Sequence, residues 1–279
     1  MKKKNSEFEN NKFREFAKII RLSVIKTAYE TLGKNAHIGG ALSMCDILAV
    51  LFKGVINLNL ENFKKLDRDK FILSKGHSTL SYYAILKELG FITKQELANY
   101  EGEGSFLFGH PVRNLEKGIE YSTGSLGQGI SLGVGVALAD RLKKKNNKIY
   151  VIVGDGECNE GSVWEAAMSA SKYKLENLTI IVDKNNLQQT GTTKEIMPND
   201  NLSSKWKEFG WDVKIVDGHN YNEIFNSLSS NSKEGMPKAI IANTIKGKGV
   251  TIFENNNRWH HNIVTKNDYE VAIKEINKQ

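Results

Sequence analysis

The chain has 279 residues, long enough to bury one large α/β core, and its 40% hydrophobic and 25% charged content is that of an ordinary globular protein. Its formal net charge of +7 would permit nucleic-acid binding, but the excess is largely Lys in scattered patches such as Met1-Lys2-Lys3-Lys4 and Lys143–Lys148, not interleaved with aromatics as a base-stacking platform requires. Cys45 and Cys158 show no motif spacing for disulfides or zinc, Arg21 and Lys26 interrupt any signal-like apolar run, and no segment approaches the roughly twenty apolar residues of a membrane span; a cytoplasmic protein with no nucleic-acid or membrane partner is expected.

Residues 8–30 carry Phe13, Phe16, Ile20, Val24 and Tyr29 near helical spacing and predict an amphipathic helix; a second is expected over 43–53. Phe71-Ile72-Leu73 predicts a short buried strand ending in Ser74-Lys75-Gly76-His77, and a helix with Tyr82, Tyr83, Ile85 and Leu86 follows. The stretch 100–118 reads as Gly-rich loop around His110-Pro111. Over 124–142 a glycine turn feeds a helix in which Gly129, Gly133 and Ala137 recur every four residues. Glycine costs about 1 kcal/mol in a helix interior, so this stripe implies close packing. The β-branched runs 149–153 and 178–182 predict strands, 212–216 and 239–244 two more, and 267–277 a last helix. Strands alternating with helices imply an α/β fold, a mostly parallel central sheet with helices on both faces. No repeat or low-complexity linker divides the chain, so 1–279 is expected to form a single domain.

Ligands of a parallel sheet gather at the carboxyl ends of its strands. The run 149–153 ends in Gly154-Asp155-Gly156 and the run 178–182 in Asp183-Lys184-Asn185-Asn186, on strands expected to be neighbours. Asp155 supplies a carboxylate oxygen, Asn185 an amide oxygen, and the turn beyond can present a backbone carbonyl such as that of Leu187. Three such oxygens suit Mg2+ or Ca2+ when phosphate oxygens and water complete the octahedron. A helix beginning after Gly161 would offer its N-terminus to an anion. Asp-Gly after a strand is by itself more often a turn; followed about 28 residues later by paired Asn, it is much more specific.

The pattern resembles the thiamine-diphosphate motif, and its surroundings resemble the N-terminal half of transketolase. The matching segments are NAHIGGALSMCDIL (35–48), LSKGHS (73–78), FGHP (108–111), STGSLGQGISLGVG (122–135), GDGECNEGSVWEAA (154–167), DKNNLQQTG (183–191) and TIKGKGV with RWHHN (244–262). The resemblance implies the thiamine-diphosphate-binding fold, with Asp155, Asn185 and the Leu187 carbonyl as Mg2+ ligands (Ca2+ or Mn2+ as substitutes) and Gly156 as a backbone donor to the diphosphate. It puts His77 and His260 at the diphosphate or beside the reacting carbon, His37 and His110 along the substrate channel, and Gly124 and Leu126 beside the aminopyrimidine. Glu160 matches a buried carboxylate facing the partner side of a dimer. Two departures stand out: Ala36-His37-Ile38-Gly39 replaces the family's usual GHPG, and His260-His261-Asn262 replaces a single His followed by Gly, which leaves His261 an alternative to His260. His219, in Asp217-Gly218-His219-Asn220, reads as structural, and Cys158 as a small filler residue.

A transketolase chain is more than twice this length, and its second half supplies the glutamate that activates the cofactor. The expected function is therefore the N-terminal subunit of a split enzyme that transfers a two-carbon ketol unit from a ketose (phosphate) to an aldose (phosphate). A separate C-terminal subunit would complete it as a heterotetramer of two copies of each chain. The alternatives are a component of another thiamine-diphosphate enzyme, deoxyxylulose-phosphate synthase-like or 2-oxoacid dehydrogenase-like, and a non-catalytic relative.

Overall fold

The computed structural model describes residues 2–31 and 33–279, and the side chains of all of these except 2–6 and 8. Five strands form one sheet: β1 (Lys70–Leu73), β2 (Ile149–Gly154), β3 (Leu178–Lys184), β4 (Asp212–Asp217) and β5 (Lys238–Asn243). Every pairing is parallel, in the order β1-β2-β3-β5-β4. The helices in chain order are α1 (Lys2–Glu30), α2 (Gly39–Ser43), α3 (Cys45–Val50), α4 (Thr79–Glu88), α5 (Lys94–Ala98), α6 (Gln128–Leu142), α7 (Gly161–Lys172), α8 (Thr193–Ile196), α9 (Leu202–Glu208), α10 (Tyr221–Ser229) and α11 (Lys266–Asn277).

The inner strands β2, β3 and β5 read as nearly continuous apolar runs because both of their faces are covered, whereas the edge strand β4 carries Lys214 and an exposed Ile215. Successive side chains alternate between two cores. Phe71, Leu73, Tyr150, Ile152, Ile181 and Ile240 join the core under α1, α3, α4, α10 and α11. Ile72, Val151, Val153, Ile180, Val182 and Ile241 join the core under α6, α7 and α9. Gly129 and Gly133 of the glycine stripe face that second core: an added Cβ would meet Ser74 at 2.4 Å and Val151 at 2.6 Å respectively. The stripe thus packs α6 onto the sheet within the chain.

The helix expected over 43–53 is broken. It stops at Ser43, restarts at Cys45 and widens into a π turn at Leu51–Val55. Phe13 of α1 lies so close over Gly54 that a Cβ there would meet its ring at 2.8 Å. β2 and β3 end level, with Gly154 opposite Asp183. The polar residues that terminate them therefore emerge side by side. Among the described residues no helix is long and apolar enough to cross a membrane.

Candidate active site

The carboxyl ends of β1, β2 and β3 open into a cavity of about 490 Å3. Asp155 stands at its floor. One carboxylate oxygen accepts from Gly156 N at 2.9 Å and the other from Asn186 N at 2.6 Å. Asn186 has φ +61°, a conformation Asn tolerates better than most residues. Asn185 Oδ1 accepts from Leu187 N at 3.1 Å, and Leu187 itself bridges to Thr192. Burial pushes the Asp155 carboxyl up to about 6, and the like charge of Asp183 adds to the effect.

Behind it, Asp183 is fully buried and is held by Lys75, by the Thr244 hydroxyl and by Ser43 Oγ at 2.6 Å. Burial alone would raise its pKa, but these donors, Lys75 foremost, hold it below the usual carboxylate range. Glu157 is a third buried carboxylate at this end of the sheet. It accepts from Ser74 Oγ at 2.5 Å, Gly127 N at 2.8 Å and Gly154 N at 3.0 Å, tying the starts of the loops after β1 and β2 to the turn before α6.

Four imidazoles line the cavity: His37, His77, His110 and His260. The His37 ring lies 5.4 Å from His77, 5.8 Å from His110 and 5.5 Å from His260. Burial holds His37 down to about 4, with His261, His110 and Lys246 adding like charge; burial and Lys246 hold His260 down to about 3. His77 is also held well below its ordinary value, by burial and then Lys75. These three rings are therefore neutral at pH 7, able to donate and accept from opposite nitrogens. Lys246 Nζ lies 3.0 Å from His260 Nδ1 and donates to the Gln188 carbonyl at 2.8 Å. An ammonium has only donors, so His260 accepts at Nδ1 and carries its proton on Nε2. Gly124, with φ +149°, lies against the His110 ring, and a Cβ on Gly76 would meet Gly124 N at 2.7 Å; side chains at either position would close this wall.

A family model described as the thiamine diphosphate-binding domain of transketolase matches residues 14–276. The chain belongs to this transketolase family. It is 40% identical over 263 residues to one of the apulose-4-phosphate transketolase subunits of Phocaeicola vulgatus, covering 93% of this chain and 92% of that one. To the 6-deoxy-6-sulfo-D-fructose transketolase subunit SqwG of a Clostridium species it is 38% identical, covering 91% and 94%. Human transketolase is 36% identical, but the match spans 42% of that chain. The solved transketolase of Campylobacter jejuni superimposes with a TM-score of 0.87 at 29% identity, covering 96% of this chain and 43% of that one.

The transketolase-like residues expected from the sequence converge here: Asp155, Gly156, Asn185, Leu187, Gly124, Leu126, His37, His77, His110, His260 and Glu160 all line the one cavity. In the single chain Glu160 is exposed at the N-cap of α7, which it does not cap. Glu157, three residues earlier, is buried within the chain, where three donors meet it. After Trp259, His260 lines the cavity, while His261 is exposed and stacks on the His37 ring at 4.2 Å. Lys75, Lys246 and Gln188 also line the site and are not singled out by sequence reasoning, although the segments that hold them, LSKGHS, TIKGKGV and DKNNLQQTG, carry the resemblance.

The residues present fit the family's cofactor and a cation. Asp155 is a buried carboxylate that forms no ion pair among the described residues, and each of its oxygens keeps a free lone pair for a metal. Asn185 Oδ1 likewise has a lone pair to spare. Gln188 Nε2, packed over Gly156, is a buried donor with no partner among the described residues. No group of three or more His, Cys, Asp or Glu among the described residues could hold a metal by itself. A single carboxylate joined by amide and carbonyl oxygens instead suits a hard cation that shares a diphosphate.

Proposed function

We propose that this chain is the diphosphate-binding subunit of a two-subunit transketolase, transferring a two-carbon ketol unit between a ketose and an aldose, with residues 1–279 acting as one domain. The observation that carries this reading is the meeting of Asp155 and Asn185 with four imidazoles in one cavity. Asp155, Asn185 and the Leu187 carbonyl would hold Mg2+, and Gly156 N, His77, Lys246 and Gln188 the diphosphate. Gly124 and Leu126 would lie along the aminopyrimidine. Thiamine diphosphate, when bound, supplies the electron sink for breaking and making the carbon–carbon bond.

The chain's own part is to position and to move protons. His37 and His110, set at 5.8 Å from each other, would face the sugar's hydroxyls and carbonyl oxygen. His260, with its proton on Nε2, would donate to an oxygen that gains charge as the carbon–carbon bond changes; such aimed donors stabilise developing alkoxides. The C-terminal partner would supply the acid that activates the cofactor. Two copies of each chain, with exposed Glu160 turned toward the second half of the assembly, complete the proposal.

The test is to co-purify the tagged chain with its partner, then assay two-carbon transfer with a panel of phosphorylated and sulfonated ketoses. Transfer without CO2 release, abolished by chelation and restored by Mg2+, is expected. Decarboxylation of a 2-oxoacid in its place would favour another thiamine enzyme. No turnover with any ketose in a stoichiometric complex would leave a non-catalytic relative.

A further inference from the structure

His219, just beyond the end of β4, plays no part in the cavity wall. Its Nε2 lies 2.9 Å from the backbone N of Ile245, which can only donate, so Nε2 is the accepting nitrogen and the proton sits on Nδ1. Nδ1 in turn donates to Asp46 Oδ2 at 2.8 Å. Asp46 is buried in α3 and is anchored by Arg21 at 2.5 Å and by the Tyr221 hydroxyl at 2.9 Å. This core ion pair thereby orients an imidazole whose free lone pair is directed at one backbone N–H. That N–H belongs to the residue immediately before Lys246, whose ammonium meets His260 Nδ1 and the Gln188 carbonyl in the cavity.

We propose that His219 is a positioning residue that, through the backbone of Ile245, holds Lys246 against His260 and the diphosphate site. The inference rests on the reading of the cavity as a diphosphate site only for its functional consequence; the placement of Lys246 is separately measurable. Neighbouring bonds hold the rest of the segment, Thr244 to Asp183 and Gly247 N to the Gly39 carbonyl at 3.0 Å. Among the described residues, Ile245 N has His219 as its acceptor. Losing that acceptor leaves a partly buried donor unpaired and frees the peptide to turn, which swings the start of the Lys246 side chain.

Two substitutions separate the two bonds. In His219→Gln the amide oxygen reaches about where Nε2 stands, keeping the acceptor for Ile245 and losing the donor to Asp46. In His219→Asn the amide nitrogen stands about where Nδ1 does, keeping the donor to Asp46 and losing the acceptor. The full chain is used for two readouts: affinity for inorganic pyrophosphate with Mg2+ by calorimetry, and pH-dependent acetylation of Lys246 followed by mass spectrometry, with Tm as the control for general damage. Expected is a loss of about tenfold in pyrophosphate affinity for His219→Asn and little change for His219→Gln. The Lys246 titration, at about 8 in the native chain where burial and Lys75 depress it, should climb toward the ordinary 10.5 in His219→Asn only. Equal behaviour of the two variants, tracking Tm, overturns the positioning role. A native chain that binds no pyrophosphate would instead sink the diphosphate reading, and the acetylation pattern would still decide the role of His219.

Discussion

At the scale of residues, two adjacent histidines face different tasks. His260 lines the cavity with a proton placed by Lys246, whereas His261 is exposed and stacks on the outer face of His37. His260→Ala should therefore cost about 10²-fold or more in turnover of the complex, the size of a lost proton donor. His261→Ala should cost less than about tenfold, and ketol-transfer kinetics on the pair would separate them. The cluster also predicts acid sensitivity. His37 and His260 have folded pKa values of about 4 and about 3, below the unfolded 6.5, so below pH 6.5 the unfolded chain binds more protons. Their contribution to stability is whole above pH 6.5 and is lost as pH falls through about 4. Tm measured from pH 7 to 4 should fall, and His37→Gln should flatten the decline. His77 and His110 are legible in the sequence because the short segments around them are chemically loaded. Lys75 and Lys246 are not, since nothing local distinguishes a lysine buried by distant elements from one on a solvated face. Glu157 and Glu160 fall on opposite sides of one turn, and which of them goes inside is decided by Ser74 and Gly127, far away in sequence.

At the scale of elements, α6 holds its glycines in two environments. Gly133 lies on Val151, where a Cβ would come to 2.6 Å; Gly135 faces open space with nothing within 4 Å. Gly133→Ala should destabilise the isolated chain by about 1–3 kcal/mol through overpacking. Gly135→Ala should stabilise it by up to about 1 kcal/mol through helix propensity. Urea denaturation of the two variants gives the signs directly. β2 and β3 are legible because burial on both faces makes them nearly unbroken β-branched runs, and the observed ends of all five strands differ from expectation by one or two residues. α5 and α8 escape the sequence reading as too short for any periodicity, although both start at a capping box, Thr93 with Glu96 and Thr192 with Glu195. The break at Met44 has no sequence signal.

At the scale of the whole molecule, the chain spans nearly the full length of its Phocaeicola vulgatus relative but 42% of human transketolase. Titrating the purified partner into a fixed amount of this chain should raise ketol-transfer activity until the two are equimolar and no further. Activity of this chain alone would contradict a shared site. The parallel topology carries a different consequence, for synthesis. β1 is an edge strand whose sole partner among the described residues, β2, begins about 75 residues later, and that interval contains His77, His110 and Gly124. At about 5–20 residues per second, an apolar strand waits on the ribosome for roughly 4–15 s before its mate emerges. One wall of the cavity is thus assembled late and by non-local pairing, the slow kind of folding step. A nascent-chain chaperone would find its binding site in that interval, at Phe71-Ile72-Leu73.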